Sequence, residues 1–251
     1  MSGHNKWSSI KHKKGAADAK RGRVFTKLIK EITMAARTGG GDPTGNPRLR
    51  QAIQAGKDNS MPADNIDRAV KKGTGELEGV AIEEITYEGY GPAGIAVIVE
   101  TATDNRNRTT AELRHILSRN NGALGENGCV SWNFDRKGVI IMDADKYEED
   151  DVMMIGLEVD GFSDLEVTGE DMLVFTEPTA LYAVREELIK NDLEVKDAKL
   201  EYVPQRKVML TDKLAVQAIR LVDKLEENDD VQNVYSNFDI DDEEAEKLMA
   251  E

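Results

Sequence analysis

Residues 138–203 read GVIIMDADKYEEDDVMMIGLEVDGFSDLEVTGEDMLVFTEPTALYAVREELIKNDLEVKDAKLEYV, and the order of their patterns decides the fold. The apolar run Gly138–Met142 predicts a strand, and residues 150–157 a helix. Leu165–Thr168 and Met172–Thr176 predict a hairpin around Gly169. Thr179–Lys190 then carries a helical period, and Val195–Val203 a strand. The result is β-α-β-β-α-β, a ferredoxin-like order.

The flanking segments complete each other. Upstream, Ile82–Tyr87 and Ile95–Glu100 predict two strands joined by a Gly/Pro turn. Thr109 with Glu112 matches a capping box for a helix carrying Leu113, Ile116 and Leu117, ended at Gly122. Val130–Phe134 reads as a further strand. This β-β-α-β series lacks a closing helix and strand, and the downstream segment supplies both: Lys213–Glu226, with Leu214, Ala218, Leu221, Val222 and Leu225 on one face, and Val231–Asn237. One α/β domain interrupted by another is the expected topology.

The first 75 residues are different in kind. Residues 1–20 carry no hydrophobic period and read as a mobile basic arm. A helix follows, with Val24, Phe25, Leu28, Ile29, Ile32, Ala35 and Ala36 on one side and Lys20, Arg23, Lys27, Lys30 and Arg37 on the other, at ~100° per residue. Gly39–Gly41 stop it. Asn46-Pro47 reads as an N-cap and first helical position, ahead of Leu49, Ala52 and Ile53. Pro62 opens a third helix through Ile66, Ala69 and Val70, ending near Gly73. The expected class is α+β: a helical N-terminal domain followed by two ferredoxin-like α/β domains, the third inserted into the second. The expected boundaries are 1–76, 77–133 with 205–238, 134–204, and an acidic tail at 239–251, read as a frayed helix or disorder.

Charge divides along the same line. The chain of 251 residues has a formal net charge of -15, from 33 Lys and Arg against 48 Asp and Glu. Taken alone, that balance argues against a polyanion partner. Residues 1–75, however, hold 16 basic and 6 acidic side chains, residues 76–135 hold 4 and 10, and residues 136–251 hold 13 and 32. A basic head sits on an acidic body. A flexible arm and a helix face can follow a phosphate backbone and release its counterions. The candidate nucleic-acid contacts are therefore Lys6, Lys11, Lys13, Lys14, Lys20, Arg21, Arg23, Lys27 and Lys30, with Arg48, Arg50, Lys71 and Lys72 as secondary contacts. Arg106 and Arg108, in Asp104–Arg108, read equally well as phosphate contacts or as partners of Asp104 and its neighbours.

Other chemistries find little support. Gly89–Gly94 matches G-x-G-x-x-G, but a strand follows it and Pro92 interrupts it, so it reads as a hairpin turn and not a dinucleotide loop. Two of the three histidines (His4, His12, His115) lie in the arm, where nothing fixes a tautomer. Cys129 is the only cysteine, which excludes an intramolecular disulfide. No metal-ligand spacing, catalytic residue or cofactor motif is recognisable, and no small-molecule substrate is implied. No run of about 18 apolar residues is present to span a membrane, and a cytoplasmic, non-enzymatic protein is expected. The oligomeric state is open.

Several stretches together resemble a known family. GHNKWSSIKHKKGAADAKRGRVFTKLIKEI, GGGDPTGNPRLRQAI and MPADNIDRAVKKGTG are similar to the helical first domain of the YebC family, and YEGYGPAGIAVIVE, TDNRNRT and Gly138–Ile140 to its second and third domains. Ser60 stands where asparagine is common, and Cys129 where serine is common. The resemblance covers nearly the whole chain. It implies three domains, the third inserted into the second, no catalytic residues and no cofactor. It also implies DNA binding in transcriptional regulation, with the alternative of a ribosome-associated translation factor, since mitochondrial relatives activate translation and bacterial members are tied to ribosomes stalled at proline-rich stretches. No helix-turn-helix spacing is visible among the first three helices, which weakens operator reading and leaves RNA or the ribosome open.

Overall fold

A computed structural model describes residues 18–241 and 247, with side chains from Gly22 onward. Three helices come first: α1 (Asp18–Gly39), α2 (Pro47–Asp58) and α3 (Ala63–Thr74). Ile32, Ala35, Ala36, Leu49, Ala52, Met61, Ile66 and Ala69 form their shared core, with Phe25, Leu28 and Ile29 against it. Asn46 fixes the first corner. Its Oδ1 accepts the Leu49 N–H at 3.1 Å while its Nδ2 donates to the carbonyls of Ala35 and Gly40, so one side chain caps both helix ends. Helix α3 ends at Thr74, next to the expected Gly73, and Gly75 is its C-cap at φ +83°. A Cβ at Gly73 would stand 2.4 Å from the Thr33 carbonyl oxygen, so this glycine permits close approach of α3 to α1.

A four-stranded sheet follows. Strands β1 (Glu83–Tyr90) and β2 (Ala96–Thr103) pair antiparallel across Gly91–Ile95, so the glycine loop is a hairpin connection. Helix α4 (Arg106–Arg119) leads to the two-residue strand β3 (Ala123–Leu124). The chain then leaves this sheet and returns through α7 (Asp212–Glu226) and β9 (Val231–Ser236), which lies antiparallel to β2. The resulting order is β3-β1-β2-β9. Leu113 and Leu117 of α4 and Ala215, Ala218, Leu221 and Leu225 of α7 cover one face, against Val97, Val99, Val231 and Val234.

Between departure and return lie β4 (Phe134–Asp143), α5 (Glu149–Leu157), β5 (Phe162–Thr168), β6 (Asp171–Thr176), α6 (Leu181–Lys190) and β7 (Asp197–Pro204). Their sheet runs β5-β6-β4-β7, all antiparallel, the order of a ferredoxin-like unit. Ile140, Met142, Met172 and Val174 meet Val152, Leu181, Val184 and Leu188 in its core. Tyr202 of β7 packs with Ala96, Ile98, Val130, Phe134 and Tyr235, joining the inserted unit to the uncovered face of the first sheet.

Three local expectations are corrected. Thr109 is not a helix cap: Asn105 caps α4, accepting the Arg108 N–H at 3.1 Å, and Thr109 is buried one turn later. Residues 130–133 do not extend into a strand. The buried Glu88 carboxylate accepts the backbone N–H groups of Gly128, Val130 and Ser131 at 2.7–2.8 Å and curls the chain into a turn. Burial raises the Glu88 pKa, but these three donors outweigh it and hold it below the usual carboxylate value. Finally, Asp239 is not part of a loose tail. Phe238–Asp239 forms β10, parallel to β8 (Val208–Met209), because Phe238 and Ile240 are buried in the core under α7.

Candidate nucleic-acid interface

Lys6, Lys11, Lys13 and Lys14 lie outside the described residues, as do the side chains of Lys20 and Arg21, although the backbone of the latter two is helical. Arg23 is partly exposed and has no ion-pair partner among the described residues. From the next turn of α1 onward the basic face meets protein. Lys27 donates to the Glu226 carbonyl at 2.7 Å, at the C-terminal end of α7, where orphan carbonyls favour a cation. Lys30 donates to the Asp229 carbonyl at 2.8 Å and to Asp230 Oδ1 at 2.6 Å. Arg37 donates to the Ile82 carbonyl at 2.9 Å.

Asp230 is the node of this contact, its side chain only 5% exposed. Its Oδ2 accepts from Arg108 at 2.7 Å, Thr109 at 2.7 Å and Thr103 at 3.2 Å. Burial alone would raise its pKa; the hydrogen bonds from Arg108, Lys30 and Thr109 overcome that and hold it at about 2. Arg108 also holds Asp104 at 2.8 Å, and the two carboxylates push its own pKa upward. A cleft of about 710 Å³ runs past this node, lined by Lys30, Thr33 and Lys72 on one side and by Asp104, Arg108 and Asp229 on the other.

Arg48 makes a second bridge. Its Nε and Nη2 form a fork on Glu31 at 2.7 and 3.0 Å, and Nη2 reaches Glu84 of β1 at 2.5 Å. Paired carboxylates, Glu31 foremost, raise its pKa. Arg50 donates to the carbonyls of Pro43 and Thr44 at 3.1 and 3.3 Å and has no carboxylate partner among the described residues. Lys71 pairs with Asp67 at 2.6 Å on the exposed side of α3, and Lys72 is exposed. Arg106 is exposed at the start of α4, without an ion pair among the described residues.

The structure therefore gives Lys27, Lys30 and Arg48 an internal role that the sequence pattern did not indicate, and for Arg108 it selects the pairing with Asp104 that the sequence held open. It gathers Lys30 and Arg108 at one carboxylate, whereas Arg50 and Arg106 stand apart from that node. Asp230 carries no sequence signal of its own, standing beside Asp229 between a helix and a strand. No signal in the chain says which of 48 carboxylates becomes buried. Among the described residues no group of three or more His, Cys, Asp or Glu side chains is placed to hold a metal ion. No helix there is long and apolar enough to cross a membrane.

Comparison with known proteins places this arrangement. Residues 5–76 match the model of the TACO1/YebC protein N-terminal domain, and residues 82–238 that of the TACO1/YebC second and third domain. A probable transcriptional regulatory protein of Geobacter sulfurreducens is 57% identical over 99% of this chain and 100% of its own. Another of that description, from Syntrophus aciditrophicus, is 56% identical over the full length of both. A conserved hypothetical protein of Aquifex aeolicus, known from its crystal structure, superposes with a TM-score of 0.83 at 46% identity, covering 93% of this chain and 96% of that one. With family models covering more than half of its residues and full-length relatives above 50% identity, the chain belongs to the TACO1/YebC family.

Proposed function

We propose that this protein is a non-enzymatic, cytoplasmic regulator that binds nucleic acid through the arm and the first turns of α1. The observation that carries the reading is where the basic face of the first helix changes partners. Lys27, Lys30 and Arg37 are held by the rest of the protein, whereas Arg23, one turn earlier, has no such partner among the described residues. In the sequence the charge continues from Arg23 through Arg21, Lys20 and four lysines of the arm, and phosphate is the partner we assign to it, while the acidic body repels phosphate. The names of the relatives, probable transcriptional regulatory proteins, support a role in transcription; DNA is the partner this reading takes.

A second reading, a translation factor acting on the ribosome, is favoured by a different observation. Gln51, on the α2 face, is held by Asp197 and the Ala198 carbonyl of the inserted unit. A helix packed this way does not offer that face to a major groove, whereas structured RNA is recognised through backbone and shape. Ribosome co-sedimentation at rising salt, with promoter and random duplexes as competitors, separates the two. The transcription reading expects the promoter duplex to win over random duplex and ribosome at equal salt; the translation reading expects ribosome binding indifferent to duplex sequence. Failure of all three to bind would overturn the role of the basic head itself.

A further inference from the structure

The first unit meets the inserted unit along α2, and a cleft of about 480 Å³ opens beside that contact. Arg50 lines it from α2, Arg185 and Tyr182 from α6. Its charges are not balanced in the manner of Asp230. Of the carboxylates in its wall, Asp58 is held by Gln54 at 2.7 Å and Asp197 by Lys199 at 3.3 Å. The wall's lysine, Lys196, is engaged by Asp171 at 2.9 Å and Asp143 at 3.7 Å. Arg50 bonds only backbone carbonyls among the described residues, and Arg185 pairs with its own neighbour Glu186 in an exposed contact worth little. Two planar guanidinium forks are thus left with donors to spare around a half-buried tyrosine. The tyrosine registers their field: burial raises its pKa, against the opposing charges of Arg50, Arg185 and Arg48. A guanidinium fork matches a phosphate better than any other common biological anion except a carboxylate. Gln51 and Gln54 spend amide N–H groups on Asp197, the Ala198 carbonyl and Asp58, and the Tyr182 hydroxyl lies 3.5 Å from Gln51 Oε1, so the two guanidinium groups are what the cleft offers a ligand.

We propose that this cleft binds a phosphate of a nucleic-acid strand, held between Arg50 and Arg185, so that the inserted unit supplies half of the interface. The inference rests on the nucleic-acid reading above and extends it from the first unit to the third. The acidic balance of residues 136–251 hides this contribution, because it averages over a face that carries Arg185.

The test is fluorescence anisotropy of the full-length protein with a short labelled oligo-uridine RNA, titrated at several salt concentrations. The double variant Arg50→Gln/Arg185→Gln is expected to bind roughly tenfold or more weakly, as charge-assisted hydrogen bonds disappear. Its salt slope should be shallower by about 0.7, as expected when one phosphate fewer is neutralised on a single strand. Arg185→Gln alone, on the exposed side of α6, gives a smaller drop in the same direction and serves if the double variant unfolds. Uridine monophosphate should displace the strand only at far higher concentration; displacement at a comparable concentration would move the assignment to a free nucleotide and overturn the proposal. Lys20→Glu/Arg21→Glu/Arg23→Glu keeps the two readings apart. Binding abolished there but unchanged in the cleft variant overturns the cleft alone, and the reverse pattern upholds the cleft and overturns the arm. A wild-type protein that binds no strand overturns both.

Discussion

Two clefts flank the helical first unit, and they use arginine and lysine in opposite ways. In the cleft toward the first sheet, Lys30 and Arg108 converge on a buried carboxylate that also receives two threonine hydroxyls. In the cleft toward the inserted unit, Arg50 and Arg185 surround a tyrosine, with no carboxylate bridging them among the described residues. The first arrangement is closed: Lys30 and Arg108 have their acceptors inside the protein. The second is open. A net positive region therefore cannot be read as a uniform binding surface; part of its charge attaches it to the acidic body.

The largest expected effect comes from breaking the closed cleft. Asp230→Ala leaves the Lys30 ammonium without its carboxylate and Arg108 with Asp104 alone; removal of one partner from a buried ion pair such as Lys30–Asp230 costs about 3–5 kcal/mol. Urea denaturation would measure it, and a drop below about 1 kcal/mol would mean that the node does not hold the units together.

A second expectation concerns pH. The Asp230 pKa falls from 3.8 to about 2 in the folded protein, so its contribution is present in full above 3.8 and disappears as pH drops through about 2. At about 1.36 kcal/mol per pKa unit, about 2.5 kcal/mol of stability disappears across that window. Stability of Asp230→Asn, followed between roughly pH 5 and pH 1, a window that reaches below both values, should fall by that much less than wild type. Parallel curves would contradict the assignment.

The smallest effect sharpens the contrast from the other side. Arg185→Ala, in the open cleft, removes only an exposed pair with Glu186 and should change stability by less than about 0.5 kcal/mol. A larger change in thermal or urea unfolding would show that the open cleft is closed after all.

How much of this was legible in the chain varies with the range of the interaction. The β-α-β-β-α-β order of residues 134–204 follows from periodicities local to each element, and the sheet order β5-β6-β4-β7 obeys them. The Asn46 cap and the stop after Gly39 are equally local. The failures arise where a distant group intervenes. Residues 130–133 have strand-like composition, but Glu88 collects the N–H groups of Val130 and Ser131 from 42 and 43 positions away. Thr109 has the spacing of a cap, yet its hydroxyl is taken by Asp230, 121 positions on. The basic face of α1 was visible as a face; that it splits between Arg23 and Lys27 depends on where the end of α7 arrives. Tyr182 carried no sequence signal at all, being one tyrosine on an amphipathic helix.

The function proposed for the basic head turns on that split, and one comparison addresses it most directly: the salt dependence of nucleic-acid affinity for two charge variants of α1. Lys27→Gln/Lys30→Gln removes cations engaged at Glu226 and Asp230; Lys20→Gln/Arg21→Gln/Arg23→Gln removes those ahead of the docked segment. The first variant is expected to be less stable, with an unchanged slope of log affinity against log salt. The second should keep its stability and show a shallower slope, by about 0.7–0.9 for each phosphate no longer neutralised. A shallower slope in the first variant with no change in the second would contradict the split.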